Sequence, residues 1–140
     1  MKTESSIYYR CGYKYQLARD YSCATGICSD QFIETDFIRF GIDGALLIRA
    51  GYAWDGPSGP AVDTKNFMRG SLVHDALYQL MREGRLSAET YRDRADRLLQ
   101  QMCRVDGMSR LRAWWVHHGV AFGGGQAADT ANDKETLTAP

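Results

Sequence analysis

The chain has 140 residues, a mass of 15.7 kDa and 44% hydrophobic residues, which suits one domain with a core of its own. It carries 17 Lys and Arg against 17 Asp and Glu, and this balance argues against a protein whose main task is to bind nucleic acid or an acidic membrane surface. No stretch approaches the roughly 20 apolar residues that span a bilayer, and the first residues lack the apolar core of a secretory signal.

The first sixty residues have the composition and alternation of β-structure. Tyr13, Tyr15 and Leu17 alternate with less apolar neighbours, and this period of two predicts a half-buried strand. Residues 22–30 contain a glycine and no clear alternation, so they predict a loop.

A hairpin is the clearest prediction in this half. Residues 37–42 and 45–49 are expected to pair antiparallel, because Asp43-Gly44 between two apolar runs is typical of a type I′ turn. The Gly- and Pro-rich residues 51–60 that follow predict no regular structure.

After this segment the hydrophobic period changes to that of a helix. A first helix is predicted to begin at a cap on Asp63 or Thr64 and to end near Glu83, with Gly84 at its C-terminal end. Its apolar arc is broad, which predicts a mostly buried helix with a narrow polar strip. The arc comprises Phe67, Gly70, Val73, His74, Leu77, Tyr78, Leu80 and Met81, and the strip comprises Ser71, Asp75, Gln79 and Arg82.

Two further helices and a tail complete the chain. Ser87 caps a second helix that ends near Arg104, and its apolar stripe comprises Tyr91, Ala95, Leu98 and Met102. Ser109 caps a third helix, and the side expected to face the core comprises Leu111, Trp114, Trp115, His118 and Phe122.

The order of these elements predicts an α+β fold. A small antiparallel sheet or hairpin in the N-terminal half packs with about three α-helices in the C-terminal half, within a single domain of residues 1–122. Residues 123–140 are Gly-rich and polar and have almost nothing to bury, so they predict a flexible tail.

The four cysteines are Cys11, Cys23, Cys28 and Cys103, and without a sign of export they are expected to be reduced. The spacing of Cys23 and Cys28 occurs in zinc sites, but a second close pair of ligands is missing. The preferred interpretation is that they are small buried apolar side chains.

His74-Asp75, in the middle of the buried helix, is the most specific local feature. Adjacent side chains point about 100° apart, so both reach one metal ion only if the ion lies over the helix between them. A divalent zinc, manganese or iron ion there would lower the pKa of a bound water and supply hydroxide for hydrolysis. The candidates for further ligands are Asp93 or Asp96 on the second helix, His117 or His118 on the third, and Asp55 in the Gly/Pro-rich segment.

A structural interpretation of the same residues is also open. A histidine in an apolar arc is commonly a core residue that is hydrogen-bonded to a neighbour. Arg92 and Asp96, and likewise Asp93 and Arg97, have the i,i+4 spacing of a solvated, ion-paired helix face. Asp93 and Asp96 also lie off the apolar stripe of their helix, which argues against them as inward-facing ligands.

Asp55 lies between Trp54 and Gly56, in a segment stiffened by two prolines. A carboxylate held in one orientation suits the wall of a site or an acid/base group. The structural alternative is a turn in which Asp55 accepts hydrogen bonds from nearby backbone amides.

Three of these motifs together resemble an uncharacterised domain family that is widespread in bacteriophages and prophages. They are residues 51–60 (GYAWDGPSGP), residues 69–78 (RGSLVHDALY) and Ala95-Asp96, and the resemblance covers about residues 36–104. It implies a phage context and a His-Asp and Ala-Asp pairing that recurs as a unit. Members accompany structural and lysis genes, so the resemblance implies no particular reaction.

Two hypotheses from different classes follow. In the first, the chain is a small metal-dependent hydrolase, with His74 and Asp75 as ligands, Asp96 or His118 completing the set, and Asp55 as acid/base or ligand. In the second, it is a non-enzymatic virion component of a tail or neck, or an assembly protein, in which His74, Asp75 and Asp96 form a buried polar network. A cytosolic phage protein directed against host defence is a third alternative.

The expected partners are other virion proteins or a second copy bound through the tail, with no nucleic acid and no membrane. Residues 82–112 contain eight arginines and five acids, whereas residues 123–140 contain three acids and one lysine. This local imbalance favours contact between the tail and the helices of the same chain or of a neighbour. The expected location is the host cytoplasm or the virion.

Overall fold

A computed structural model describes residues 3, 6, 9, 10, 15–55 and 64–127. The chain divides into two compact units, and the division follows Asp55. The first unit contains the strands and the second contains the helices, so the predicted α+β class is confirmed. The single domain over residues 1–122 stays a prediction.

The described part of the first unit contains two antiparallel sheets. One has the order β1-β2-β7, formed by Tyr9–Arg10, Tyr15–Leu17 and Ala53–Trp54. The other has the order β3-β6-β5-β4, formed by Tyr21–Ala24, Ala45–Ile48, Ile38–Phe40 and Ile33–Glu34. The strand predicted around Tyr15 and Leu17 is therefore present, while Tyr13 lies outside the described residues. The prediction that residues 51–60 have no regular structure is wrong at Ala53–Trp54, which form β7, and residues 56–60 lie outside the described residues.

The loop predicted over residues 22–30 is wrong at its start, because β3 continues to Ala24. Tyr21 and Cys23 are buried opposite Ile48 and Leu46, and Ser22 between them is less buried. The stretch therefore has the period of two that is typical of a strand, carried by a tyrosine and a cysteine rather than by aliphatic residues.

The predicted hairpin is confirmed, but its turn is of a different type. Strands β5 and β6 pair antiparallel, with Phe40 opposite Leu46. Among the described residues only glycines have positive φ, so Asp43 cannot occupy a type I′ turn. Gly44 has φ +83° and its amide donates to the carbonyl of Gly41, which is a type I turn followed by a left-handed glycine.

In the second unit, residues 64–127 form three α-helices: α1 (Lys65–Arg82), α2 (Ala88–Val105) and α3 (Arg110–Ala127). Ser87 and Ser109 cap α2 and α3 as predicted, each accepting a hydrogen bond from a backbone amide three residues later. Thr64 occupies the cap position of α1 without a side-chain cap bond, and Asp63 lies outside the described residues.

Glycines at positive φ end the first two helices. Gly84 donates to the carbonyl of Met81 while Arg85 donates to that of Leu80, and the same pattern recurs at Gly107. This paired arrangement satisfies the last helical carbonyls without a helical continuation. The short turns that result bring α1, α2 and α3 together one after the other.

The core of the second unit joins all three helices. One buried cluster within it contains Phe67 of α1, Leu99 and Cys103 of α2, Met108 of the following turn and Ala113 of α3. A Cβ at Gly70 would lie 3.0 Å from Leu99 Cδ1 and 3.2 Å from Cys103 Sγ, so the glycine permits the close approach of α1 to α2.

Helix α3 differs from its prediction at its end and in its orientation. It continues to Ala127, so the predicted flexible tail is helical over residues 123–127, since a helix already nucleated needs only one further hydrogen bond for each residue added. Its core-facing side is formed by Ala113, Val116 and Val120. The side predicted to face the core is exposed, as described below. Residues 128–140 of the predicted tail lie outside the described residues.

The cysteines follow the sequence interpretation only in part. Cys23 and Cys103 are buried, as expected of small apolar side chains, and burial raises the pKa of the Cys103 thiol to about 12. Cys28 is free but exposed, so the prediction is wrong there. Cys11 lies outside the described residues.

Candidate functional site

The candidate site is a polar group at the interface of α1 and α2. His74 and Tyr78 are one helical turn apart on α1, so their side chains share a face, and their ring centroids are 4.0 Å apart. The rest of the predicted arc of α1 is buried as well, and this holds the pair against α2. Asp96 of α2 lies opposite them.

A single oxygen of Asp96 connects the two residues of α1. Its Oδ1 lies 2.8 Å from His74 Nε2 and accepts a 2.5 Å hydrogen bond from the Tyr78 hydroxyl. Asp96 is 1% exposed, so the carboxylate depends on these donors in place of water. Hydrogen bonds to a charged acceptor are among the strongest in proteins, particularly where solvent is excluded.

Asp75 lies on the other side of the histidine ring. Its Oδ1 is 3.8 Å from His74 Nδ1, which is ion-pair range but too long for a hydrogen bond, and its side chain is one-third exposed. Burial disfavours the charged imidazole, but the two carboxylates outweigh it and raise the pKa of His74. Burial, together with the bond to Asp96, raises the pKa of Tyr78, so its hydroxyl keeps its proton.

The position of Asp96 corrects one inference from the sequence. Its place off the apolar stripe of α2 argued for an exposed residue paired with Arg92, but the carboxylate points into the interface with α1. Asp93 behaves as predicted and forms an exposed ion pair with Arg97 at 2.8 Å. The physical reason is that donors on another helix, which the pattern of α2 alone does not reveal, make burial of Asp96 favourable.

The other candidates lie on different elements. Asp55 is exposed and directly follows β7 in the first unit, while residues 56–63 lie outside the described residues. His118 is exposed on α3, and its ring lies 4.0 Å from that of Trp114. His117 is half-buried on the same helix.

The predicted ligand set does not converge in the described part of the chain. No group of three or more His, Cys, Asp or Glu side chains is placed there to hold one metal ion. His74 Nε2 and Asp96 Oδ1 bond to each other instead of presenting two donors to a common point. These residues therefore do not fit a zinc, manganese or iron site in this arrangement, and the metal centre stays a prediction.

Two members of the α1–α2 interface were missed by the sequence interpretation. Tyr78 was assigned to the apolar arc, although its place one turn after His74 indicated a shared polar role. Arg69 also lies on the buried side of α1, where its guanidinium forms paired bonds of 2.9 and 2.8 Å to the two oxygens of Asp106. A charged residue inside a buried arc was the available indication of a partner.

The third helix presents an exposed apolar side, which corrects the predicted packing. Leu111 is 69% exposed, Trp115 is 64% exposed, and Trp114 and His118 are exposed as well. Ala113 and the two valines of α3 face the core instead because α2 approaches that side. The side chain of Phe122 lies outside the described residues.

Comparison with protein-family models, with curated proteins and with solved structures found no match to this chain. The resemblance to a phage domain family therefore stays a prediction from the three motifs. Among the described residues, no helix has the length and apolar character needed to cross a membrane.

Proposed function

We propose that this chain is a non-enzymatic component of a phage particle, in which His74, Asp75 and Asp96 form a structural network. One observation supports the proposal: the buried Asp96 Oδ1 of α2 is hydrogen-bonded to both His74 and Tyr78 of α1. This network fixes one packing of the two helices without any reaction.

The low solvent exposure of His74 and Asp96 favours a structural role over hydrolysis. A general base or a metal ligand must reach a water molecule or a substrate within hydrogen-bond distance. His74 is 7% exposed, one of its ring nitrogens is bonded to Asp96, and the other faces Asp75. Asp96 therefore satisfies His74 Nε2, and Asp75 lies at ion-pair range from Nδ1.

The phage context of the proposal comes from the motifs at residues 51–60 and 69–78, which resemble those of a domain family found in bacteriophages and prophages. The exposed indoles of α3 agree with a role in assembly, because aromatic residues are enriched where proteins bind one another. The expected setting is a tail, a neck or an assembly intermediate.

Metal analysis of protein purified without a histidine tag tests the structural role. We expect no stoichiometric zinc, manganese or iron in the wild-type protein, and a His74→Ala variant that is destabilised with an unchanged metal content. Stoichiometric metal that is lost in His74→Ala but kept in His117→Ala would overturn the proposal in favour of the hydrolase.

Mass spectrometry of purified particles tests the assembly role. The chain should be present at a fixed ratio to the other particle proteins after nuclease treatment and gradient purification. Its absence from both particles and assembly intermediates would overturn this half of the proposal.

A further inference from the structure

The exposed side of α3 forms a continuous line of large side chains, which we call the aromatic ridge: Leu111, Trp114, Trp115 and His118. Their spacing of i, i+3, i+4 and i+7 places them along one helical face. The large exposed apolar side chains of the described helical unit all lie between Val105 and Trp115. Single exposed apolar residues are ordinary on a protein surface, but a cluster of this kind marks an interaction site.

The rings of the aromatic ridge also contact each other. Trp114 meets Trp115 edge-on, with centroids 5.4 Å apart, and lies 4.0 Å from the ring of His118. Neighbouring rings restrict one another's rotation, so less side-chain entropy is lost when a partner binds. Indoles in such positions contribute strongly to protein interfaces.

The charge around the aromatic ridge is positive. Helix α3 contains no Asp or Glu, while Arg110 and Arg112 flank Leu111. The opposite side of α3 is packed against α2, whereas the ridge side is exposed over the described side chains of the helix. A complementary surface would combine an apolar centre with acidic residues at its edge.

Other occupants fit this chemistry less well. A second copy bound ridge to ridge would place the like charges of two helices at one interface. Binding to anionic lipids commonly takes clusters of 4–8 basic residues at about 1 kcal/mol each, and α3 has two arginines. Nucleic acid binding likewise depends on many Lys and Arg contacts to phosphates.

We propose that the aromatic ridge of α3 binds an amphipathic segment of another protein, whose apolar side chains cover Trp114 and Trp115 and whose acidic side chains pair with Arg110. The proposal rests on the assembly role above and specifies the chemistry of the neighbouring subunit. It assigns recognition to α3, apart from the network between α1 and α2.

Two designed helical peptides with identical apolar faces test the proposal. One carries glutamates beside the apolar face and the other carries lysines, and binding to the full chain is followed by tryptophan fluorescence. Trp54 is buried in the first unit, so a blue shift on binding reports the exposed indoles. We expect the glutamate peptide to bind at least about tenfold more tightly than the lysine peptide, with the difference reduced at high salt.

Matched variants locate the binding surface. Trp115→Ala should weaken binding of the glutamate peptide at least about tenfold. Phe32→Ala is the control, because Phe32 is a similarly exposed aromatic residue (57%) in the first unit. Arg110→Glu places one anion beside the remaining cation of Arg112, so it should abolish the preference for the glutamate peptide.

Three outcomes would overturn the proposal: no binding of the glutamate peptide at about 1 mM, equal affinity for both peptides, or equal losses in Trp115→Ala and Phe32→Ala. If neither peptide binds, two results would assign the ridge to another occupant. One is binding of the chain to phosphatidylglycerol vesicles, and the other is a dimer that Trp115→Ala abolishes. If neither peptide binds, but the chain is found in purified particles and contains no stoichiometric metal, this inference fails and the proposed function stands.

Discussion

Two histidine–aromatic pairs in the helical unit have the same spacing and opposite surroundings. His74 and Tyr78 on α1, like Trp114 and His118 on α3, are four residues apart with ring centroids at 4.0 Å. The first pair is buried and bonded to Asp96, whereas the second is exposed. The role of each pair is therefore decided by what the neighbouring helix places opposite it.

This difference separates stability from recognition. A buried polar group must be satisfied within the protein, so loss of a partner at the α1–α2 interface is costly. An exposed ring on α3 is solvated in the free protein and can be removed with little effect on folding. The comparison can be tested by removing corresponding members of the two pairs.

The largest effect is expected from Asp96→Ala, which leaves the donors of His74 and Tyr78 without their acceptor in a buried interface. Removal of one partner from a buried charged pair costs about 3–5 kcal/mol, so the free energy of unfolding should fall by about 3 kcal/mol or more. Chemical denaturation measures the change.

Asp93→Ala is the matched control on the same helix. Asp93 forms an exposed ion pair with Arg97, and such pairs contribute about 0.2–1 kcal/mol. Equal effects of the two substitutions would show that the bonds of Asp96 do not stabilise the fold.

A smaller effect is expected from pH, through the raised pKa of His74. Below the ordinary value of 6.5 the histidine is charged in both the folded and the unfolded chain, and the carboxylates stabilise the folded state fully. As pH rises above 6.5, the unfolded chain loses the proton first, so this stabilisation declines until the folded His74 also loses its proton.

Denaturation at a series of pH values measures this decline. For one proton the slope is at most about 1.4 kcal/mol per pH unit. His74→Gln should remove the decline between pH 6.5 and the native pKa of His74, which titration of its ring by NMR would determine. An unchanged slope in His74→Gln would assign the dependence to other groups.

The smallest effect is expected from His118→Ala. The ring contacts Trp114 on an exposed face, so the free energy of unfolding should change by no more than about 0.5 kcal/mol. Thermal unfolding compared with His74→Ala measures the contrast. A loss comparable to that of His74→Ala would show that the aromatic ridge supports the fold.

The elements of the fold were largely accessible from local sequence patterns. The hairpin of β5 and β6 followed from its two apolar runs, and α1 and α2 followed from their period, their caps and the glycines at positions 84 and 107. Strand β3 was missed because Tyr21 and Cys23 form a short, mixed apolar pattern. The predicted turn type at Asp43-Gly44 was wrong because the same dipeptide fits two kinds of hairpin turn.

The candidate site was accessible only in part. His74, Asp75 and Asp96 were selected as chemically unusual residues, but the helical period of α2 argued for an exposed Asp96. Burial of a carboxylate depends on donors supplied by another helix, and these cannot be inferred from one helix alone. Tyr78 was missed because its position in the apolar arc is typical of a core residue, and its spacing of one turn from His74 was the one indication of a polar role.

The sequence by itself determined the α+β class, the hairpin, the helices and the residues with unusual chemistry, because these depend on short-range periodicity, capping and turn propensity. Only the tertiary structure decided which side of α3 is covered and which carboxylate His74 meets. Leu111, Trp114 and Trp115 have the pattern of a core face, yet Ala113, Val116 and Val120 occupy the core. The physical reason is that burial is set by the shape and donors of the opposing helix, which lies outside the local sequence of α3.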